Sequence, residues 1–337
     1  MSLRKLPLVL LAAASMVGTG AATAADKLIV AMPTTPPNVV HTPILVAKEL
    51  GLYKKAGLDV ETVALEGGVK TYRAMVAGNA DLALSAGPFT IIARSKGAPT
   101  KLILTNLPKT AVSLVVRADI KSMADLKGKR IGIQQPGGFA DVLSRAVLRA
   151  GKIDPKEVSF VSIATEDVPA LVANQVDTAI LHIEQEMVAQ SKVPGLHAIA
   201  RLWEVQPKNL GTVVAVTEKT IKDKSAALKA FVKANIEATR IMYTDKEKVL
   251  PHIIKATGAA KDVASKTYDF MIENCIWDPN DGLDPEKVNF TAQLMTRVGN
   301  IEKGKTPSYD DLVDLSFARA AIKELGPWNG KCKTEAH

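Results

Sequence analysis

The 337-residue chain predicts an α/β fold built twice over, as two similar lobes with a cleft between them. Three observations carry this. A ten-residue segment occurs in two related copies, short apolar runs alternate with helical stretches, and two further apolar runs stand where the chain would pass between lobes. The first copy reads Val76-Ala77-Gly78-Asn79-Ala80-Asp81-Leu82-Ala83-Leu84-Ser85 and the second Val172-Ala173-Asn174-Gln175-Val176-Asp177-Thr178-Ala179-Ile180-Leu181. In each, a helix ends, a turn follows, and an Asp opens a short apolar strand. Gly78 and Asn174 hold matching places, and these residue types best tolerate the left-handed conformation that closes a helix.

The elements follow in order. Residues 28–32 form a short apolar run, read as a buried strand, which the Pro33–Asn38 stretch breaks. Residues 41–50 read as a helix closed by Gly51, and 58–65 alternate as a strand that stops at Glu66-Gly67-Gly68. A helix over 69–77 and a strand over 81–85 complete the first copy. Gly87-Pro88 starts another helix, because Pro suits the first helical turn, and 101–104 is a fourth strand. The second copy has a strand at 130–134, a Gln135-Pro136-Gly137-Gly138 loop, a helix at 139–149 closed by Gly151, a strand at 158–163, a helix through Ala173, and a strand at 177–181. Such alternation with short loops argues a parallel sheet covered by helices. Residues 112–117 are positioned to cross into the second lobe and 212–216 to cross back. Residues 221–325 are mostly helical by pattern, with 226–243 the clearest amphipathic stretch and Asp278–Gly282 a turn. This tail is expected on the first lobe. The lobes are then 25–112 with 217–337, and 113–216.

The N-terminus carries the pattern of a secretory leader: Arg4 and Lys5, an apolar run over 6–17, and Ala22-Thr23-Ala24, with cleavage expected after Ala24. That run is too short to span a bilayer. Residues 1–24 are therefore expected to be removed and the rest exported, most simply to a periplasm. Hydrophobic residues make up 47% of the chain, enough for a sizeable core. The formal charge of +8 is scattered among acids, with no basic stripe interleaved with aromatics, so nucleic acid is not an expected partner. The two cysteines, Cys275 and Cys332, could pair in an oxidising compartment; sequence leaves that open. Neither belongs to a Cys-x-x-Cys pair.

Ligands of open α/β sheets bind beyond the carboxyl ends of the strands, where helix N-termini offer free N–H groups. That edge gathers Thr34, Thr35 and Asn38, with His41 opening the next helix; Gly67 and Gly68; Ser85 and Gly87; Thr105 and Asn106; and, from the second lobe, Gln135, Gly137, Gly138, Phe139 and His182. Any one of these is an ordinary loop residue; the topology makes them a group. Trp203 could stack on a planar ligand or serve in packing.

The order Ala47-Lys48-Glu49-Leu50-Gly51-Leu52-Tyr53, Gly57-Leu58-Asp59-Val60, Ala77–Ala83 and Asp125-Leu126-Lys127-Gly128-Lys129-Arg130-Ile131-Gly132 resembles the periplasmic solute-binding proteins of ABC transporters in the NMT1/THI5-like family, which serve sulfonates, taurine, nitrate and thiamine-pyrimidine precursors. The resemblance spans nearly the whole mature chain and rests on scaffold motifs. It implies a type II periplasmic-binding-protein fold, a monomer with two lobes joined by a hinge, closing on one small organic anion or planar heterocycle (sulfonate, aromatic carboxylate or pyrimidine class). It also implies delivery to a membrane permease with a cytoplasmic ATPase, and no cofactor, metal or catalysis. Relatives for sulfonates often carry an aromatic-Glu-Pro sequence after the second-lobe strand. Here His182 stands near the aromatic place and no Pro follows Glu184. His182 could donate to an anion, with a charge that changes near neutral pH.

Enzyme readings find little support. His182-Ile183-Glu184 lacks the Pro-Cys-x-x-Cys of zinc deaminases. No Gly-x-Ser-x-Gly elbow, Walker loop or Gly-x-Gly-x-x-Gly appears, and the Cys-rich motif of pyrimidine-synthase relatives is missing. A receptor for a TRAP-type transporter is the other binding-module reading.

Overall fold

The computed structural model describes residues 26–134, 136, 139–163 and 167–332. The expected leader with its cleavage site, and Gln135, Gly137 and Gly138 of the expected site, lie outside the described residues.

Among the described residues, ten strands form two five-stranded sheets. They are β1 (Asp26–Met32), β2 (Leu58–Ala64), β3 (Leu82–Ala86), β4 (Thr100–Leu107), β5 (Val112–Val116), β6 (Arg130–Ile133), β7 (Ser159–Ser162), β8 (Thr178–His182), β9 (His197–Arg201) and β10 (Thr212–Thr217). The first sheet has the order β2-β1-β3-β10-β4 and the second β7-β6-β8-β5-β9. In each, four strands run in the same direction and one, the first to follow a passage between the sheets, enters antiparallel. β10 lies between β3 and β4, and β5 between β8 and β9. The duplicated sequence is thus a duplicated sheet. Burial explains the apolar runs: all five residues of β5 are buried, as befits a strand covered on both faces. The edge strand β2 instead alternates, with Leu58 and Val60 buried and Asp59 and Glu61 exposed.

The repeated aspartates do the same work twice. Asp81 Oδ2 accepts the Ile29 amide at 2.9 Å, while the Asp81 amide donates to Ile29 O at 2.8 Å. Asp177 Oδ2 accepts the Arg130 amide at 2.8 Å and its own amide donates to Arg130 O at 2.9 Å. Each Asp staples the start of its sheet's third parallel strand to the first. Each strand begins one residue after its Asp, at Leu82 and Thr178. Gly78 and Asn174 both have positive φ, 81° and 60°, as the helix-closing role requires.

Strand period splits the second-lobe core between two faces: Val112, Leu114 and Val116 pack on one side of β5 with Ile131 and Ile133, and Val115 on the other with Ala179 and Leu181. The helices after β10 share the first sheet's core. Phe231 of helix Ser225–Thr244 stacks on Tyr53 at 5.5 Å, and Met271, Trp277 and Phe317 join the same cluster. The return to the first sheet comes earlier than residue 216. All of β10 is already paired to β3 and β4, so the crossing lies in 202–211. Strand β9 and the helix Ile183–Lys192 were not read from the sequence.

The two crossings touch. Gly211 donates to Pro108 O at 3.3 Å, and a Cβ on Gly211 would lie 2.3 Å from Leu107 O. The Asp278–Gly282 turn is buried beneath them. Thr105 N donates to Asp281 O at 2.9 Å, and Asp278 N to Asn106 O at 2.9 Å. Cys275 and Cys332 form a disulfide, Cα to Cα 5.4 Å, that ties the C-terminal segment to the end of helix Lys261–Glu273. No described helix is long and apolar enough to cross a membrane.

Candidate functional site

Five side chains from the two halves converge where the sheets' carboxyl edges face each other. Asn38 and His41 follow β1 in the first half. Phe139 opens the helix Phe139–Ala150, and His182 and Glu184 sit at the end of β8 and in the first turn of Ile183–Lys192. Asn38 Nδ2 donates to Glu184 Oε1 at 2.6 Å. The His41 and His182 rings meet edge-on with centroids 6.4 Å apart, and Phe139 lies nearly parallel to His182, 6.1 Å away and 8° from coplanar.

Local chemistry sets these positions. Thr34 Oγ1 accepts the Asn38 amide at 3.2 Å, which shapes the loop after β1. Gln185 Oε1 accepts the His182 amide at 2.9 Å and fixes the helix entry. A carboxylate in a helix's first turn is favoured by the helix dipole, which suits Glu184.

The cluster is polar, buried and incompletely bonded. His41 Nδ1, His182 Nδ1 and Glu184 Oε2 are buried and have no hydrogen-bond partner among the described residues. A buried polar atom left unpaired costs about 1–3 kcal/mol, so three in one place mark a site shaped for something else. His41 is 6% exposed; burial, with repulsion from His182, pushes its pKa down to about 3. Burial also lowers His182, with Glu184 opposing in part. For His182, which the sequence reading gave a charge change near neutral pH, burial thus favours the neutral ring. A cavity of about 20 Å³ beside His41, lined also by Leu84, Asn106 and Thr212, has room for about one water.

Other candidates from the sequence have their groups committed to the scaffold. Ser85 Oγ donates to Gly68 O at 3.0 Å. A Cβ at Gly68 would press on Ser85 Cα at 3.2 Å, and one at Gly87 on Leu210 Cγ at 2.8 Å. Gly67 has φ 86° and donates to Pro33 O at 2.8 Å. Thr105 Oγ1 donates to Thr212 O, and Asn106 Nδ2 donates to Thr239 Oγ1 at 2.9 Å, both beside the crossings. Thr35 is exposed. Trp203 packs edge-on to Phe270, with centroids 6.0 Å apart, near the Arg201 guanidinium.

Two residues of the second half went unremarked in the sequence. Gln134 Nε2 donates to both Asp167 carboxylate oxygens at 3.1 Å, and Gln134 Oε1 accepts the Ala140 amide at 3.2 Å. Burial, opposed by the Gln134 bond, pushes Asp167 up to about 6. Among the described residues no group of three or more His, Cys, Asp or Glu side chains is placed to hold a metal ion.

The family model described as NMT1/THI5 like matches residues 38–249. The chain belongs to the NMT1/THI5-like family. YtlA of Bacillus subtilis (strain 168), named as a binding protein, is 25% identical over 314 residues, 85% of this chain and 88% of YtlA. A Haemophilus influenzae protein named for thiamine biosynthesis is 28% identical over 207 residues, 60% of this chain and 65% of that one. Among solved structures, the periplasmic nitrate-binding protein NrtA from Synechocystis PCC 6803 superposes with a TM-score of 0.72 at 15% identity, covering 89% of each chain. The fold is that of the two-lobed periplasmic binding proteins.

Proposed function

We propose that this NMT1/THI5-like chain is the exported solute-binding component of an ABC importer. Its two halves, one built on the sheet of β1–β4 with β10 and the other on the sheet of β5–β9, close on one small organic molecule at the Asn38–His41–Phe139–His182–Glu184 cluster. The closed form is what a membrane permease, driven by a cytoplasmic ATPase, would recognise. The observation that carries this is the set of three buried, unpartnered polar atoms contributed from both sides of one cleft. A ligand between the halves satisfies them only when the halves are together, which couples affinity to closure. Sulfonates, aromatic carboxylates and pyrimidines are the classes the family resemblance brings.

The test is a thermal-shift series on mature protein, paired with mass spectrometry of whatever small molecule denaturation releases. A captured solute raises the melting temperature with its concentration. Protein that carries nothing and shifts with nothing, across a panel of those classes, contradicts the reading. The likeness to a protein named for thiamine biosynthesis supports one alternative, an enzyme on the same scaffold. Recovery of the added compound unchanged after prolonged incubation separates binding from turnover.

A further inference from the structure

We propose that Trp277 is a positioning residue for the cleft: its indole N–H, supplied by the C-terminal tail, sets the turn that aims Asn38 and His41 at the second half. This rests on the solute-capture reading above and deepens it.

Little in the first half holds these two side chains. Asn38 Nδ2 reaches across the cleft to Glu184, and His41 Nδ1 has no partner among the described residues. Their aim therefore follows from the backbone that carries them, the short 3₁₀ turn Val39–His41 and the residue before it. Part of that turn is closed locally. The His41 amide donates to Asn38 O at 3.0 Å, and Thr42 Oγ1 donates to Val39 O at 2.7 Å. The next carbonyl, Val40 O, accepts the Trp277 indole N–H at 3.0 Å, from a residue 237 positions along the chain. Val40 is the residue directly before His41, so this bond fixes the peptide from which the imidazole projects.

Trp277 is itself held firmly. It is 1% exposed, and a buried indole N–H is a donor in need of an acceptor. The Tyr243 hydroxyl donates to Trp277 O at 2.6 Å, and the indole packs tilted against the Tyr268 ring, with centroids 6.1 Å apart. Neither hold passes through the Cys275–Cys332 bond. The next residue along the tail reaches a crossing, since Asp278 N donates to Asn106 O near the end of β4. Cleft turn and crossing thus rest on one buried support. Among the tryptophans, Trp203 is the ring the sequence offers to a ligand, whereas Trp277 acts from behind the cleft through Val40.

The experiment uses mature protein with isotope-labelled histidine, stripped of any carried molecule by denaturation and refolding. NMR follows the His41 ring between pH 7.5 and 5. An imidazole open to water titrates near 6.5, whereas His41, at about 3, stays neutral across that range. The titratable groups facing it are His182 and, through Asn38, Glu184, both across the cleft. Trp277→Phe keeps an aromatic ring and removes the donor. The expected result is a His41 that takes up its proton within the range, as water reaches a slackened turn. Phe317→Leu, in the same core but on helix Ser316–Leu325, is expected to lower the urea midpoint and leave His41 unmoved. A His41 unmoved in W277F, or moved equally in F317L, overturns the inference. If W277F does not fold, protein grown with benzothienylalanine in place of tryptophan keeps the rings and removes only the N–H, and the same titration decides. No solute enters this test, so its failure leaves solute capture standing, and a protein that captures nothing is found by the release experiment above.

Discussion

Asn38 and Glu184 lie 146 residues apart in the chain and 2.6 Å apart across the cleft, the shortest link between the loop after β1 and the helix after β8. Hydrogen bonds to a charged group contribute about 1.5–3 kcal/mol. This one exists only while the halves are together, so its loss should act on closure. Asn38→Ala is expected to raise the dissociation constant of the carried solute by about tenfold and to leave the melting temperature of empty protein nearly unchanged. Small-angle scattering should show a larger mean radius in the variant. An equally compact variant with unaltered affinity would show that the bond does not bias closure.

Acid should destabilise the protein, and the sign comes from the histidines. An unfolded imidazole titrates near 6.5, whereas buried His41 titrates at about 3. Between those values the unfolded chain binds the extra proton, so stability falls as pH drops from about 6.5 toward 3. His182 is shifted in the same direction. Asp167 opposes them. Raised from 3.8 to about 6, it takes its proton first in the folded state, which adds stability as pH falls from about 6 to 4. Urea midpoints between pH 7.5 and 4.5 should fall in the wild type. The fall should be shallower in His41→Asn and steeper in Asp167→Asn; parallel slopes in all three would refute this assignment.

Reduction should cost stability without touching the cleft. The Cys275–Cys332 bond closes a loop with a sequence separation of 57. A loop of that length corresponds to about 4 kcal/mol in the chain-entropy model, with typical measured losses of about 2–4 kcal/mol. The double variant Cys275→Ser, Cys332→Ser should unfold at lower urea by this amount while binding solute with wild-type affinity. Equal midpoints for oxidised and reduced protein would contradict the expectation.

Gly211 should not tolerate a side chain. The Cβ of Gly211→Ala would sit 2.3 Å from Leu107 O and 2.7 Å from Lys109 O, so one crossing must move away from the other. A loss of roughly 1–3 kcal/mol is expected, the range for overpacking a well-packed site. Because both crossings shift, solute affinity should fall as well, unlike the disulfide case. Wild-type behaviour on both counts would mean the crossings yield freely.

The fold was largely legible because it depends on local signals. The Asp81 and Asp177 copies, the left-handed Gly78 and Asn174, and the buried run of β5 are each visible within ten residues. The cleft was less so. Ser85, Thr105, Asn106, Gly68 and Gly87 share the right edge, but their polar atoms or close contacts serve partners far along the chain, such as Thr212, Thr239 and Leu210. Glu184 stands out in the sequence only through its nearness to His182, and its importance comes from Asn38, a partner no local pattern names. The Asp278–Gly282 stretch reads as a turn, and nothing local tells that it is buried against the β4 residues Thr105 and Asn106, to which its backbone bonds.

The late insertion of β10 into the first sheet has a consequence for how the protein is made. A chain emerging from its N-terminus completes β3 and β4 early, yet β10, which lies between them, arrives only after the whole second sheet has been delivered. Until then the first sheet has an open slot flanked by two apolar, unpaired edges, the kind of surface that invites wrong pairing. The second sheet has no such wait, since its antiparallel strand β5 precedes the strands it joins. The second half is therefore the one able to assemble as the chain arrives, and the first half is the natural client of whatever keeps an exported chain from aggregating.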